Sequence, residues 1–372
     1  GASTIYRDVD FFALNNIYAP NANTAIAVRY GYNRFKDFSG NFPTFDAASL
    51  GLPAALVSAM TFNTFPNMTI TGYNGVGNNG PTKATHTTQT ANASVSRFMG
   101  SHTLKFGTEY RRIGASVMAY SSAAGAYTFT QAFTAANPTA AGGDAFASFL
   151  LGYPASGSIV SATPAQYLID YYAGYVQDEF RVNPKLTFNY GVRYELEPGV
   201  REVNDHFTVG FDRSADFPFQ VPGMTLKGGL MYAGQNGYPA QQGKSLNGAA
   251  PRGGVAWSLT NKDVIRGGYG FYWAPMQFSG IGETAMGRLG YTATTTYLSS
   301  TDGNRTPANS LNNPFPTGIT LPQGNAKGLA TGAGGVVDFV DPNSQAGRVQ
   351  QFSVDYTREL PSGIAVSIGY SG

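Results

Sequence analysis

Two neighbouring carboxylates are the first candidates for chemistry in this sequence. Asp178 and Glu179 are adjacent, and two carboxyl groups that flank one bond can act as general acid and base. They lie in a Tyr-rich stretch with the character of a strand, and successive strand residues point to opposite faces. The two carboxylates therefore cannot serve one substrate bond, and we predict polar residues at the end of a strand.

Two further motifs have the composition of ligand-binding loops. Residues 266–270 read Arg-Gly-Gly-Tyr-Gly, but they lack the spacing of a phosphate loop and no helix follows. A bend or a bulge in a strand, or a close contact with a domain that fills a barrel, is favoured there. Asp338, Asp341 and Asn343 are spaced like part of a calcium loop, yet no glutamate follows at the required distance.

Nucleophilic and metal chemistry finds little support elsewhere. The chain has no cysteine and three histidines, His86, His102 and His206, which follow no metal-ligand spacing. No serine lies in a GxSxG motif. We predict no catalytic residue, no metal site and no cofactor, and hence no enzymatic activity.

An aromatic cluster, Tyr171, Tyr172, Tyr175 and Phe180, allows two interpretations. It could stack against a carbohydrate or a siderophore. The favoured interpretation is packing against lipid, with the tyrosines near the headgroups.

The elements that carry these residues follow from composition and periodicity. Charged residues form 12% of the 372 residues and aromatic residues 13%, whereas soluble domains carry about 25% charge. The aromatic content argues against disorder, and the net charge of +2 argues against a nucleic-acid surface. The sequence contains no run of 18 apolar residues, so it does not predict a transmembrane helix.

Apolar and polar residues alternate in residues 23–35, 102–112, 185–195 and 364–370, which predicts β-strands. One predicted face carries apolar residues, including Leu104, Phe106, Leu186, Phe188, Tyr190, Val192, Ile364, Val366 and Ile368. The other face carries polar residues, including Arg29, Lys105, Glu109, Arg193, Glu195 and Arg266.

The strands are predicted to form five hairpins, near residues 9–35, 86–116, 167–197, 250–273 and 346–372. Tight turns rich in Pro, Asn and Gly join the strands of each hairpin. Long segments, 36–85, 117–166, 198–249 and 274–345, separate the hairpins. Short turns at one end and long loops at the other, with strands of about 9–11 residues, are typical of transmembrane β-barrels. Alternation alone also fits a soluble β-sandwich. In the barrel interpretation the apolar set faces lipid and the polar set faces the lumen.

Several stretches resemble a known family. They are YYAGYVQDEFRVNPKLTFNYGVRYELEP (171–198), PRGGVAWSLTNKDVIRGGYGFYWAP (251–275), SHTLKFGTEYRR (101–112) and VQQFSVDYTRELPSGIAVSIGYSG (349–372). These stretches resemble the barrel of Oar-like TonB-dependent receptors of Gram-negative bacteria, and residues 65–75 and 144–154 resemble loop segments of that family.

The resemblance implies an all-β, antiparallel outer-membrane barrel of about 22 strands, filled by a plug domain of the same chain and driven by an inner-membrane energising complex. The chain departs from that plan because it shows no plug, no coupling box and about ten strands, and it ends at Gly372 within a predicted strand. We therefore expect residues 1–372 to be a partial barrel domain, without the plug and the C-terminal strands, whose sheet stays open.

The resulting hypothesis is the barrel portion of an outer-membrane receptor that imports a large substrate. The expected partners are outer-membrane lipid, the plug, the energising complex and an extracellular ligand that the sequence does not identify; nucleic acid is not expected. The alternatives are a structural or adhesive outer-membrane protein without transport, and a secreted β-sandwich adhesin.

Overall fold

The alternating stretches form long strands, and the connecting segments add short strands and helices. The computed structural model describes residues 4–40, 45–77, 80–138, 141–219, 221–274 and 287–372. The strands are β1 (Thr4–Asn21), β2 (Thr24–Gly40), β3 (Asn67–Ile70), β4 (Thr82–Met99), β5 (His102–Ala119), β6 (Ala126–Phe129), β7 (Ser156–Ala162), β8 (Gln166–Asn183), β9 (Leu186–Glu197), β10 (Val200–Glu202), β11 (Thr208–Asp216), β12 (Lys227–Tyr232), β13 (Leu246–Ser258), β14 (Asp263–Ala274), β15 (Thr292–Thr296), β16 (Gly347–Glu359) and β17 (Ala365–Ser371). The α-helices are α1 (Ala54–Ala59) and α2 (Ala145–Leu150), and short 3₁₀ helices cover Ala47–Leu50, Gln131–Phe133, Gly328–Ala330 and Pro361–Gly363.

One antiparallel sheet dominates the chain. Within the described residues, ten strands pair in the order β1-β2-β4-β5-β8-β9-β13-β14-β16-β17, and β10 adds to the free part of β8. The sheet is open, because β1 and β17 form its two edges and do not pair with each other. The expectation of an all-β, antiparallel, open sheet is thus confirmed for this part of the chain.

Several strands are longer than the sequence predicts. β1, β4, β5 and β8 each contain 18 residues, and at about 3.3 Å per residue they extend for about 59 Å. The predicted length of 9–11 residues is wrong for them. The reason is that the Thr-rich start of β4 shows no apolar alternation, although its backbone pairs with β2 and β5 as far as Thr82.

Short and long connections lie at opposite ends of the sheet. Each predicted hairpin closes through a tight turn, such as Gly100-Ser101 between β4 and β5, where Gly100 adopts the left-handed φ of 61° that glycine accepts without a steric penalty. The connections between hairpins are long. Because neighbouring strands run antiparallel, the long connections leave from the end opposite to the tight turns.

The long connections are folded rather than irregular. Strands β15, β7, β6 and β3 form a second, four-stranded sheet, in which the β3–β6 pair is parallel. Its core contains Phe129 and Ile159, both almost fully buried, with Tyr127, Tyr297 and Phe315 around them. Residues 139–140 and 275–286 of these connections lie outside the described residues. We call this second sheet and its helices α1 and α2 the loop module.

A buried glutamate holds the junction between β8 and the connection that leads to β8 from β7. The Glu202 carboxylate accepts backbone N–H bonds from Gln166 at 2.9 Å, Asn204 at 2.8 Å and His206 at 2.8 Å. Glu202 is almost fully buried, so these three bonds replace the water that the carboxylate loses. They fix the chain where β8 leaves the main sheet.

The β11–β12 hairpin lies beside this junction. The Asp212 carboxylate accepts bonds from the Ser214 hydroxyl at 2.6 Å, the Ser214 N–H at 2.8 Å and the Tyr238 hydroxyl at 2.9 Å. These bonds favour the ionised form and lower the pKa of Asp212 to about 2 from its ordinary 3.8.

Across the described residues, no helix is both long enough and apolar enough to span a membrane.

Candidate functional site: the polar face of the main sheet

The register of the main sheet separates polar from apolar side chains. Directly opposite residues of antiparallel strands share a face, and one such row runs from Arg29 through Asn92, Glu109 and Ala173 to Glu195. Lys105 and Arg193 lie an even number of residues along the same strands. Arg266 joins them through Ala256 and Thr187. All six polar candidates therefore lie on one face, which we call the polar face.

The opposite face, which we call the apolar face, carries the apolar candidates. A row there runs through Ile26, Val95, Phe106, Val176 and Val192. Leu104, Leu186, Phe188 and Tyr190 lie an even number of residues from members of this row. Ile368 joins the same face through Tyr356, Ile265 and Trp257 to Leu186. Val366 alternates with Ile368, and Ile364 immediately precedes β17.

Exposure on the two faces is the reverse of that in a water-soluble sheet. In β9, Phe188, Tyr190 and Val192 are 39%, 48% and 39% exposed, whereas Glu195 and Glu197 on the polar face are 6% and 5% exposed. Ile368 is 72% exposed. A soluble β-sandwich buries its apolar face against a second sheet, and within the described residues these side chains have no such cover.

Ion pairs and hydrogen bonds connect side chains of neighbouring strands on the polar face. The Arg193 Nη2 donates to Glu109 Oε2 at 2.6 Å and to the Tyr171 hydroxyl at 3.1 Å. The Tyr171 hydroxyl donates to Glu195 Oε2 at 2.8 Å, and the Arg193 Nε lies 3.6 Å from Glu195 Oε1. Arg111 donates to the second oxygen of Glu109. We call these five residues the charge network.

The charge network is partly shielded from water. The side chains of Arg193, Glu109 and Glu195 are 19%, 13% and 7% exposed, and Tyr171 is buried beneath the Arg111 and Arg193 guanidinium groups, which lie 5.2 and 5.9 Å from its ring centre. Loss of one partner of such an ion pair leaves the other charge uncompensated and costs more than an exposed pair would. The network therefore fixes four neighbouring side chains in one arrangement around Arg193.

A groove continues from the charge network toward the tight turns. Its volume is about 910 Å³, and it is lined on the polar face by Lys105, Tyr175, Gln177, Asn189, Arg193, Arg252, Tyr272 and Ser353, with Gly191, Gly254, Gly268 and Gly270 between them. Arg193 belongs to both the network and the groove. The remaining polar candidates, Arg29 and Arg266, share the face but make no contact with the network.

The candidates named from the sequence do not include several members of this site, among them Tyr171, Tyr175, Arg252 and Tyr272. The aromatic cluster, for which packing against lipid is the favoured interpretation, does not share one face. Tyr171 and Tyr175 lie opposite Arg111 and Gly107 on the polar face, whereas Tyr172 and Phe180 lie on the apolar face. Alternation along β8 could have separated the two pairs.

The adjacent carboxylates behave as their spacing predicts. Asp178 lies on the apolar face near the tight turns, where it bonds His102 Nδ1 at 2.6 Å and the Tyr190 hydroxyl at 2.9 Å. Glu179 lies opposite Asn189 on the polar face. The two side chains point to opposite sides of the sheet, so they do not form an acid–base pair.

Comparisons with known proteins agree with this architecture. A family model described as an outer membrane beta barrel domain matches residues 2–372. A search of curated proteins finds no match.

Solved outer-membrane proteins share the fold at low identity. The outer membrane transporter YddB from Escherichia coli is similar with a TM-score of 0.52 and 12% identity, and the match covers 99% of this chain and 34% of YddB. The ferric-catecholate import receptor Fiu from E. coli K12 is similar with a TM-score of 0.43 and 9% identity, and the match covers 99% of this chain and 41% of Fiu. The chain thus spans well under half the length of these structures.

Proposed function

The chain belongs to the outer membrane beta barrel domain family, and from this we propose that it forms part of the wall of a TonB-dependent receptor that imports a large substrate. Family membership places the protein in the outer membrane. A secreted β-sandwich is disfavoured by a second observation, because the apolar face lacks a covering sheet in the described structure.

The assignment of the two faces supports a barrel wall. We propose that the apolar face, with Leu104, Phe106, Leu186, Phe188, Tyr190, Val192, Ile364, Val366 and Ile368, contacts lipid. Outward apolar residues of this kind form a band about 25 Å tall in outer-membrane barrels. The apolar positions of β9 from Leu186 to Leu196 extend for about 33 Å along the strand, which a tilt of about 40° shortens to about 25 Å along the barrel axis. Asp170 with Arg112 lies beyond this band at the loop end, joined at 2.7 Å.

The charge network is the observation that carries the proposal. A lipid-facing or water-exposed sheet surface would not hold Glu109, Arg111, Arg193 and Glu195 in a shielded ionic cluster. Such a cluster fits the inside of a barrel, where polar residues line a channel or contact a plug. We propose that the full polar set, Arg29, Lys105, Glu109, Arg193, Glu195 and Arg266, faces the lumen.

The proposed mechanism divides the work between the two ends of the sheet. The loop module would capture the substrate outside the cell, and the polar face would line its path after a plug domain of the same chain has moved. An inner-membrane energising complex would drive that movement. The resemblance to Oar-like receptors and the name of YddB as a transporter support import; both leave the substrate open.

A structural or adhesive role without transport is the second candidate. The loop module favours it, because a folded module with its own core can present a surface without a pore opening behind it. In that case the polar face would be sealed permanently.

Uptake by intact cells separates the two candidates. Cells that lack the gene and cells that carry it would be compared for uptake of labelled ferric chelates, copper and oligosaccharides, with and without a protonophore. Import predicts one uptake activity that requires both the gene and the membrane potential. Unchanged uptake of the whole panel, with altered surface attachment, would instead identify a structural or adhesive protein.

A further inference from the structure

We propose that the groove on the polar face binds small solutes that carry two or more anionic oxygens, such as phosphorylated compounds or polycarboxylates. The inference rests on the proposed function only because it takes this face as the water-filled side of the barrel. It assigns a ligand class to the middle of the wall, where Arg252 lies opposite Gly191.

The charged side chains of the groove have one sign. Its lining contains the cations Lys105, Arg193 and Arg252 and no Asp or Glu. Arg193 is already held by Glu109 and Tyr171. Lys105 and Arg252 form no ion pair in the part of the chain that the structure describes. Two uncompensated cations in one concave surface raise the local concentration of anions.

Arg252 is held ready for a ligand by its neighbours. Its guanidinium carbon lies 4.3 Å from the centre of the Tyr272 ring, and this stacking leaves the edge of the guanidinium free. The planar edge can donate two parallel hydrogen bonds to one carboxylate or phosphate group, whereas Lys105 contributes a point charge. Because less side-chain freedom is lost on binding, stacking favours affinity.

The glycine-rich stretch at residues 266–270 explains how this arrangement fits. A Cβ atom on Gly270 would lie 3.2 Å from Arg252 Cγ and 3.2 Å from Tyr272 Cε2, tighter than ordinary contact. Glycine at this position therefore allows Arg252 and Tyr272 to stack. Gly268, Gly254 and Gly191 line the adjoining part of the groove and add no side chain that would fill it.

Binding of pyrophosphate and of tricarballylate tests the site. The protein would be purified in detergent and titrated with each anion by calorimetry, and with trehalose as a neutral solute. Arg252→Gln and Lys105→Gln remove the two free charges, and Arg252→Lys keeps the charge but loses the planar edge. Arg29→Gln is the matched control, because Arg29 shares the polar face but does not line the groove.

We expect saturable binding of at least one anion and none of trehalose. Each Gln variant at the groove should weaken binding about tenfold or more, Arg252→Lys less, and Arg29→Gln should leave it unchanged. Equal weakening by Arg29→Gln and Arg252→Gln, or no saturable binding of either anion to the unaltered protein, would overturn the site. Calorimetry measures binding and not uptake, so the two proposals can fail separately. Saturable anion binding in calorimetry, together with no import in the uptake experiment, would support the binding site and refute the receptor function.

Discussion

An arginine in place of Val192 tests the two faces of the sheet most directly. Val192 lies on the apolar face, half exposed, between Val176 and Pro251. It lies near the middle of the apolar positions of β9 from Leu186 to Leu196, about 20 Å of strand from one end and about 13 Å from the other. If this face meets lipid, the new charge lies near the middle of the membrane.

The expected cost follows from that position. An arginine at the midplane of an outer-membrane barrel costs about 2–4 kcal/mol, and near the interfaces about 0–1 kcal/mol. One feature of the structure could reduce the cost: Asp178 stands diagonally across from residue 192, two positions beyond Val176. Combining Val192→Arg with Asp178→Asn removes this pairing and should give the upper part of the range.

Reversible unfolding in lipid vesicles measures the effect. Urea titrations followed by tryptophan fluorescence, with the two Trp residues of the chain as probes, give the free energy of unfolding by linear extrapolation. Asn189→Arg is the matched control, because Asn189 lies on the polar face of the same strand and is exposed there. It is next to Tyr190, which lies on the apolar face. The Asn189→Arg change should cost less than about 1 kcal/mol. An equal cost at positions 189 and 192 would refute the assignment of the faces.

Four other changes probe the network, the loops and the faces. Arg193→Met should lower the free energy of unfolding by about 3–5 kcal/mol, because buried carboxylates lose their shared cation; the same titrations measure it, and a change below 1 kcal/mol would contradict a shielded network. Glu202→Ala should lower the free energy of unfolding of the junction at the start of β8 by at least about 3 kcal/mol, because each of three hydrogen bonds to a charged group contributes more than about 1 kcal/mol, and limited proteolysis should then cleave the connections next to this junction faster while the long strands stay protected. Since the chain has no cysteine, Phe188→Cys and Asn189→Cys can be labelled singly in vesicles; a membrane-impermeant maleimide should react at 189 and not at 188, and the reverse pattern would exchange the two faces. The pKa of Asp212 is lowered to about 2, so its hydrogen bonds stabilise the β11–β12 hairpin above pH 4, and this contribution is lost as pH falls through 2. Pepsin should therefore cleave the hairpin faster at pH 2 than at pH 4. An Asp212→Asn variant should lose most of this difference.

The local pattern of the sequence was enough for the strands and their faces. Alternation has a period of two residues, so a run such as 185–195 fixes which side chains share a face without any knowledge of the neighbouring strand. For that reason Arg193 and Glu195 were predicted together, and Leu186 and Phe188 opposite them. The tight turns and the end of the sheet from which the long connections leave also followed, because Pro, Asn and Gly act locally.

Tertiary structure decided which of these side chains meet. Whether Arg193 reaches Glu109 depends on the register of β5, β8 and β9, and register arises from long-range pairing that no single stretch encodes. The same holds for Arg252 and Tyr272, which lie on different strands and meet because Gly270 leaves room.

The loop module shows most clearly which part of the structure could not be predicted from the sequence. Its strands are four to seven residues long, so the alternation in stretches such as Asn67–Ile70 is too short to identify a strand from the sequence. Met68, Phe129 and Tyr297 become one core only when three separate connections meet at the same end of the sheet. The sequence determined the alternation that builds the wall, because that pattern is local; the tertiary structure alone decided the charge network, the groove and the loop core, because each joins residues that are distant along the chain.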